Sequence, residues 1–274
     1  MSLQLPLLVQ PGDLHNHLKE QDSNLLLVDL CKASTYRELH IPGSVHLAYA
    51  AITGSDHPTH GLLPEPELLQ QVFADHGIGN ETHVVAYDDE GGGNASRLLW
   101  TLHAMGHQSY SLLDGGLHAW ANEGHPCSRE MSSVPTASFQ ARPDKSAVAS
   151  RAYILSRLDS PELALWDARS RNEFRGLSRF SQFPGHIPGA VNLDWLEVMD
   201  RQHNLRLKPK AELEAMLAKL GITRDKEVIT YCQTHHRSSL TWLVLRYLGF
   251  EDCKGYPGSW SDWGNRDDTP KAMP

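Results

Sequence analysis

His40-Ile41-Pro42-Gly43-Ser44-Val45 recurs as His186-Ile187-Pro188-Gly189-Ala190-Val191, and this recurrence decides how the whole chain is read. Working outward, Leu27-Val28-Asp29-Leu30 is answered by Leu165-Trp166-Asp167-Ala168, and Gly77-Ile78 by Gly221-Ile222. Val84-Val85-Ala86-Tyr87 is answered by Val228-Ile229-Thr230-Tyr231, and Gly106 to Trp120 by Gly249 to Trp263 at equal spacing. Anchors repeated in the same order mean a duplicated domain. The interval from Asp to His is about eight residues longer in the second copy, which places an insertion near Leu177 to Pro184. Between the Tyr and the following Gly the first copy is longer by one residue.

Within each copy, short β-rich apolar runs such as Leu25-Leu26-Leu27-Val28 alternate with helical patterns. Ala211 to Leu220 puts Leu213, Met216, Leu217 and Leu220 on one face, with Gly221 at the helix end. The expected fold class is α/β: two tandem domains, each an open, mostly parallel sheet with helices on both faces. The expected division is residues 1–127, a linker at 128–147 rich in Ser, Pro and Ala, and residues 148–274.

The 274 residues are 40% hydrophobic and 21% charged, values of a globular chain long enough for two cores. A net charge of −8 argues against a sequence-independent nucleic-acid partner, while a local cluster of donors can still hold a small anion. Met1 to Pro11 has no Lys or Arg and does not read as a secretory signal; no apolar stretch reaches the roughly 18 residues of a membrane helix. Cys31, Cys127, Cys232 and Cys253 form no C-x-x-C pair and read as reduced thiols of a cytoplasmic protein.

The chemistry lies in one loop. After the strand Glu227 to Tyr231 come Cys232-Gln233-Thr234-His235-His236-Arg237, then Ser238-Ser239 and a helical run from Leu240 to Leu248. A group there sits at the carboxyl end of a central strand, ahead of a helix amino terminus, where open α/β sheets bind ligands. The helix terminus, Arg237 and protonated His235 or His236 all favour a thiolate. A cysteine at a strand end is more often a small buried hydrophobe. The run of polar residues behind this one, ending His-His-Arg, does not look like core. In the first copy Asp88 stands opposite Cys232, followed by Asp89-Glu90-Gly91-Gly92-Gly93, acidic where the second loop is basic. The first copy is therefore expected to be catalytically silent.

At these residues the chain resembles the tandem-domain rhodaneses, the thiosulfate sulfurtransferase family. The resemblance rests on both His-Ile-Pro-Gly motifs, the Asp167 to Arg169 turn, the Cys232 to Arg237 loop and the closing Gly258-Ser259-Trp260-Ser261-Asp262-Trp263. The loop is most similar to a bacterial subgroup reading Cys-Gln-Thr-His-His-Arg. The resemblance implies two rhodanese-like domains, a Cys232 persulfide, loop amides that cradle it, and Arg237 holding the loop or the donor's oxyanion. It implies no metal and no organic cofactor. The expected partners are a small anionic sulfur donor and a thiophilic acceptor such as cyanide or a protein.

Two departures bear on the donor. Glu173, ahead of Phe174, stands where many relatives carry a donor-binding Arg. Gln233-Thr234 replaces both the Arg-Lys of thiosulfate-active relatives and the Gly-Ser of mercaptopyruvate-specific ones. Thiosulfate is favoured over 3-mercaptopyruvate because the loop is more basic than the Gly-Ser type. Glu173 and Trp195, which has no counterpart in the first copy, are candidates for lining the site, Trp195 equally for the core. A cysteine phosphatase or arsenate reductase is the rival enzyme class, although its Cys-x5-Arg loop is one residue longer. A persulfide carrier serving a partner protein is the rival outside enzymes. His15 and His17, His57 and His60, and Asp88-Asp89-Glu90 read as surface or loop polar groups rather than metal ligands. His40 and His186 read as structural hydrogen-bonding groups, Trp120 and Trp263 as core, and Cys31, Cys127 and Cys253 as inert.

Overall fold

The computed structural model describes residues 5–20 and 24–273; the start of the amino-terminal run lies outside them. The chain divides into two compact units. In the first, a parallel sheet runs in the order Leu8–Val9, Tyr110–Leu113, His83–Tyr87, Leu25–Asp29, Val45–His46. In the second the order is Cys253–Gly255, Glu227–Tyr231, Leu163–Asp167, Val191–Asn192. Val148 adds a parallel bridge to Gly255, as Leu8 pairs with Leu112 in the first unit. Even the register repeats, Asp29 facing Tyr87 and Asp167 facing Tyr231.

Both central strands of each sheet are buried along nearly their whole length, which requires cover on both faces. One face of the first sheet packs Leu27, Val85 and Leu113 against Leu14, Leu117 and Trp120 from the helices Pro11–Leu18 and Gly116–Asn122. The second repeats this with Leu165, Ile229, Tyr231, Ile154, Trp260 and Trp263. The His-Ile-Pro-Gly motif has the same task in both copies. The amide of Ile41 donates to the Tyr87 hydroxyl at 3.1 Å and that of Ile187 to Tyr231 at 3.2 Å. The glycine that follows lies at φ near +80° in each (Gly43 +80°, Gly189 +79°), where any other residue is strained. His40 and His186 are buried and bond backbone carbonyls, Nδ1 of His40 to Tyr36 at 2.6 Å and Nδ1 of His186 to Phe174 at 2.8 Å.

The helix expected at Ala211 to Leu220 spans Lys210–Lys219, buries Leu213 and Leu217 and ends at Gly221 with φ +72°. The division of the chain is not contiguous. The first unit takes residues through Ile52, then Pro64–Pro143 and Met199–Leu207; the second takes Thr53–Leu63, Asp144–Val198 and the chain from Lys208. The hairpin Gly54–Asp56/Thr59–Leu62 falls in the second unit and the hairpin Met199–Asp200/Arg206–Leu207 in the first. Each is held by polar contacts distant in sequence. In the second unit the amide of His60 donates to Ser261 Oγ at 2.9 Å, and Ser261 Oγ donates to the His60 carbonyl at 2.8 Å. In the first unit the amide of Leu207 donates to Asp114 at 2.8 Å.

Candidate active site

The strand Glu227–Tyr231 delivers Cys232 into a tight loop, and the next helix begins at Arg237, not at Leu240. Ser238 and Ser239 thus lie in its first turn, both fully buried. The early start has a local cause: Thr230 and Thr241 both donate to the Ser238 carbonyl, at 3.0 and 3.1 Å, fixing that turn against the strand.

Cys232 is fully buried. Burial alone would raise its pKa. The Arg237 charge, the Ser238 hydroxyl and the amides of Ser238 and Thr234 outweigh it and hold the thiol below its ordinary value. The remaining three thiols go the other way. Burial pushes Cys253 up to about 12, Cys31 higher still beside Asp29, Asp89 and Asp88, and Cys127 upward as well. Among the four cysteines, Cys232 alone is held below its ordinary pKa.

The loop is braced from beneath by Ser259. Its hydroxyl accepts from the amides of Cys232 at 3.2 Å and His235 at 3.1 Å, and donates to the Tyr256 carbonyl at 2.8 Å. Ser259 (φ +50°) and His235 (φ +54°) both occupy the left-handed region, costly for side-chain-bearing residues and kept only where surroundings enforce it. Two further bonds tie the loop down, from the amides of Trp260 and Ser261 to the carbonyls of Cys232 and Gln233, at 3.0 and 2.9 Å. His235 is fully buried and its Nδ1 lies 2.7 Å from Ser238 Oγ, so it braces the hydroxyl that faces the sulfur.

Arg237 and Glu173 form a two-pronged ion pair, Nη1 to Oε2 at 2.7 Å and Nη2 to Oε1 at 2.8 Å. Glu173 also closes a capping box with Ser170 at the start of the helix Arg171–Phe174. Burial would raise the Glu173 carboxyl, but hydrogen bonding and charge from Arg237, with help from Ser170, bring it down to about 2. Burial likewise opposes the Arg237 charge and is outweighed by Glu173 and the Cys232 thiolate. Beside this pair, Arg169 forks onto Asp167 (2.6–3.1 Å), donates to the Gly185 carbonyl at 2.8 Å and lies 4.6 Å from the Trp260 ring centroid.

The outer residues of the loop face open space. Trp195 is half-buried with its ring centroid 5.6 Å from that of His236. The Gln233 amide donates to Ser181 Oγ at 3.0 Å. With Thr234 it lines a cleft of about 680 Å³, shared with Arg179, Phe180, Ser261 and the hairpin residues His57 and His60. The structure thus gathers Cys232 to Arg237, Glu173 and Trp195 around one loop. Ser238, Ser259 and the Asp167–Arg169 pair escaped the sequence reading as parts of it. The signal for Ser259 was present: it stands opposite Gly116, and a serine replacing a left-handed glycine marks a side chain with a task.

In the first unit Asp88 occupies the position of Cys232 and turns inward. Its carboxylate accepts from the amides of Glu90 (3.0 Å), Gly92 (2.8 Å) and Ala95 (2.9 Å). Burial and Glu90 raise its pKa against those donors. The loop fold is therefore an anion cradle in both copies, filled in one by a fixed carboxylate. Counted from the amides of Ala95 and Ser238 that face the two positions, Asn94 stands where the second copy has Arg237.

The family profile described as Rhodanese-like domain matches residues 10–123 and again 150–266. The chain is 44% identical over 269 residues to a thiosulfate sulfurtransferase of Azotobacter vinelandii, covering 98% of both chains. It is 42% identical over 266 residues to a thiosulfate sulfurtransferase of Pseudomonas aeruginosa, covering 97% of each. The fold is shared with an anaerobic ergothioneine biosynthesis enzyme from Chlorobium limicola, with a TM-score of 0.86 at 21% identity over 99% of this chain and 71% of that one. The two matched regions, the repeated sheets and full-length similarity agree: the chain belongs to the rhodanese family and carries two rhodanese-like domains.

Proposed function

We propose that this protein is a thiosulfate sulfurtransferase that works through a persulfide on Cys232. The observation that carries the reading is that Cys232, fully buried, is the one thiol of the four held below its ordinary pKa. In the first half-reaction the Cys232 thiolate attacks the outer sulfur of thiosulfate. A new S–S bond forms, the S–S bond of thiosulfate breaks, and sulfite leaves with the electron pair. In the second, cyanide carbon attacks the outer persulfide sulfur, thiocyanate departs and the thiolate returns. No proton, metal or redox partner is needed for balance, and covalent catalysis of this kind gives ping-pong kinetics.

Within this reading Arg237 is a positioning and charge-supplying residue, because Glu173 already occupies its fork. The amides of Thr234 and Ser238 cradle the anionic sulfur. The same fork argues against the phosphatase alternative, which requires a guanidinium free to grip a phosphoryl group. No described helix is long and apolar enough to cross a membrane, and the four free cysteines suit a reducing cytoplasm.

The test is intact mass after incubation with thiosulfate, which should add one sulfur, about 32 Da, by persulfide formation. Turnover to cyanide should follow, with thiosulfate preferred to 3-mercaptopyruvate. An unmodified mass, or an active Cys232→Ser variant, rules the mechanism out.

A further inference from the structure

The insertion that distinguishes the catalytic copy follows shortly after the helix Arg171–Phe174. Together the helix and the insertion form an unusual surface for a chain of net charge −8. Arg171, Arg175 and Arg179 are exposed, and none makes an ion pair among the described residues. Between and beside them, Leu177 is 70% and Phe180 69% exposed. Met273, 63% exposed, places its sulfur against Gly176. These three are half of the six large apolar side chains that stand exposed among the described residues. Apolar groups clustered in this way and interleaved with arginines are the composition of an interface, not of an ordinary solvated face.

The surface is also wired to the reactive loop. Gln233, next to Cys232, donates to Ser181 Oγ at 3.0 Å and lies 3.4 Å from the Phe180 carbonyl; Ser181 in turn donates to the Trp260 carbonyl at 3.2 Å. Arg179, Phe180 and Ser181 form one wall of the 680 Å³ cleft, and Gln233 and Thr234 line it with them. Arg179 Nε is spent on the Ser181 carbonyl at 2.9 Å, which fixes the side chain. The silent copy has Arg37 and Leu39 opposite Arg175 and Leu177 but lacks the inserted segment. Arg179 and Phe180 therefore accompany the reactive thiol and not the fold.

We infer that the Arg171-to-Ser181 surface is the docking site for an acidic, thiol-bearing protein that accepts sulfur from Cys232. The inference rests on the sulfur-transfer reading above. Unpaired arginines supply charge complementarity to an acidic partner, and Leu177, Phe180 and Met273 supply the apolar centre. Transfer is a thiolate exchange: the partner's thiolate attacks the outer persulfide sulfur, forming its own persulfide and releasing the Cys232 thiolate. Charges at an interface rim act mainly on encounter rate and salt dependence. The signature is thus a partner-specific second-order rate and leaves cyanide turnover untouched.

The experiment uses the full-length protein loaded with thiosulfate and two synthetic acceptor peptides, each with one cysteine, one flanked by glutamates and the other by lysines. At low salt the glutamate peptide should accept sulfur about tenfold faster, the size of effect that rim charges have on encounter. The preference should collapse in high salt and in an Arg171→Glu/Arg175→Glu/Leu177→Ala variant, which leaves the cleft wall intact and whose rate with cyanide stays that of the native protein. Equal rates with the two peptides, a lysine preference, transfer to neither, or a preference that survives the variant overturns the docking site. Loss of cyanide turnover in the native protein instead defeats the sulfurtransferase reading itself, so the two failures are distinguishable.

Discussion

Replacing Arg237 by Gln and, separately, Glu173 by Gln should move the Cys232 thiol in opposite directions. A cation within about 4–6 Å of an acid lowers its pKa by about 1–3 units. Arg237 acts on Cys232 directly, and solvent screens the pair little, since the Arg237 side chain is 20% exposed and Cys232 is fully buried. Arg237→Gln should therefore raise the thiol and cut the thiolate fraction at neutral pH. Glu173→Gln removes the negative charge that partly offsets Arg237, and should lower the thiol. Stability separates from acidity in this set. Arg237→Gln strands a buried carboxylate and should cost about 3–5 kcal/mol. The double variant relieves that burden, so its melting temperature should recover while its thiol stays high. The assay is ultraviolet thiolate absorbance titrated against a Cys232→Ser reference, beside kcat/KM for thiosulfate across pH. Shifts of the same sign in both single variants, or no rise of the thiol in Arg237→Gln, would refute the argument.

Other outcomes follow from the same geometry. Glu173 has a carboxyl pKa brought down from its ordinary value to about 2. Its stabilising effect is complete above the ordinary value and lost as pH falls through the folded one. Thermal melts should show a steeper acid loss in the native protein than in Glu173→Gln. Ser259→Ala strips the acceptor from the Cys232 and His235 amides and should cost about 1–3 kcal/mol by chemical denaturation. Ser259→Gly, suited to φ +50°, should lose less. Ser238→Ala should raise the acid limb of the thiosulfate pH profile, because its hydroxyl helps to lower the thiol. Asp88→Cys in a Cys232→Ser background should take up no sulfur by mass, since Glu90 and not an arginine faces that position; a persulfide there would show that the amide cradle alone suffices.

The duplication made the fold readable before any coordinates, because each anchor is a place where backbone geometry dictates side chain. Gly43 and Gly189 turn the chain, Ile41 and Ile187 meet a strand tyrosine, and Trp120 and Trp263 fill the core. Cys232 to Arg237 were legible because polar residues had no structural reason to gather between a buried strand and a helix. What escaped was long-range partnership. Nothing local says that the guanidinium of Arg237 ends on Glu173, 64 positions away, or that Ser261 holds His60 across 201. Glu173 was readable only as a missing arginine; its carboxylate holds the charge of the loop in place. The hairpins were unreadable for the same reason, their membership being decided by distant hydrogen bonds and not by sequence neighbours.

The inward carboxylate of Asp88 has a consequence for counting. A cradle whose three amides are already satisfied by its own chain has no vacancy for an oxyanion from solution. Two copies of the fold therefore amount to a single valence. Titration with a tight anionic inhibitor, or labelling with radioactive sulfur, should saturate at one equivalent per polypeptide however much is added. The first domain is also spared the hazard that the second must live with, for a carboxylate cannot be over-oxidised as a thiolate can. Peroxide inactivation should accordingly be a single-hit process, lost in full with one cysteine.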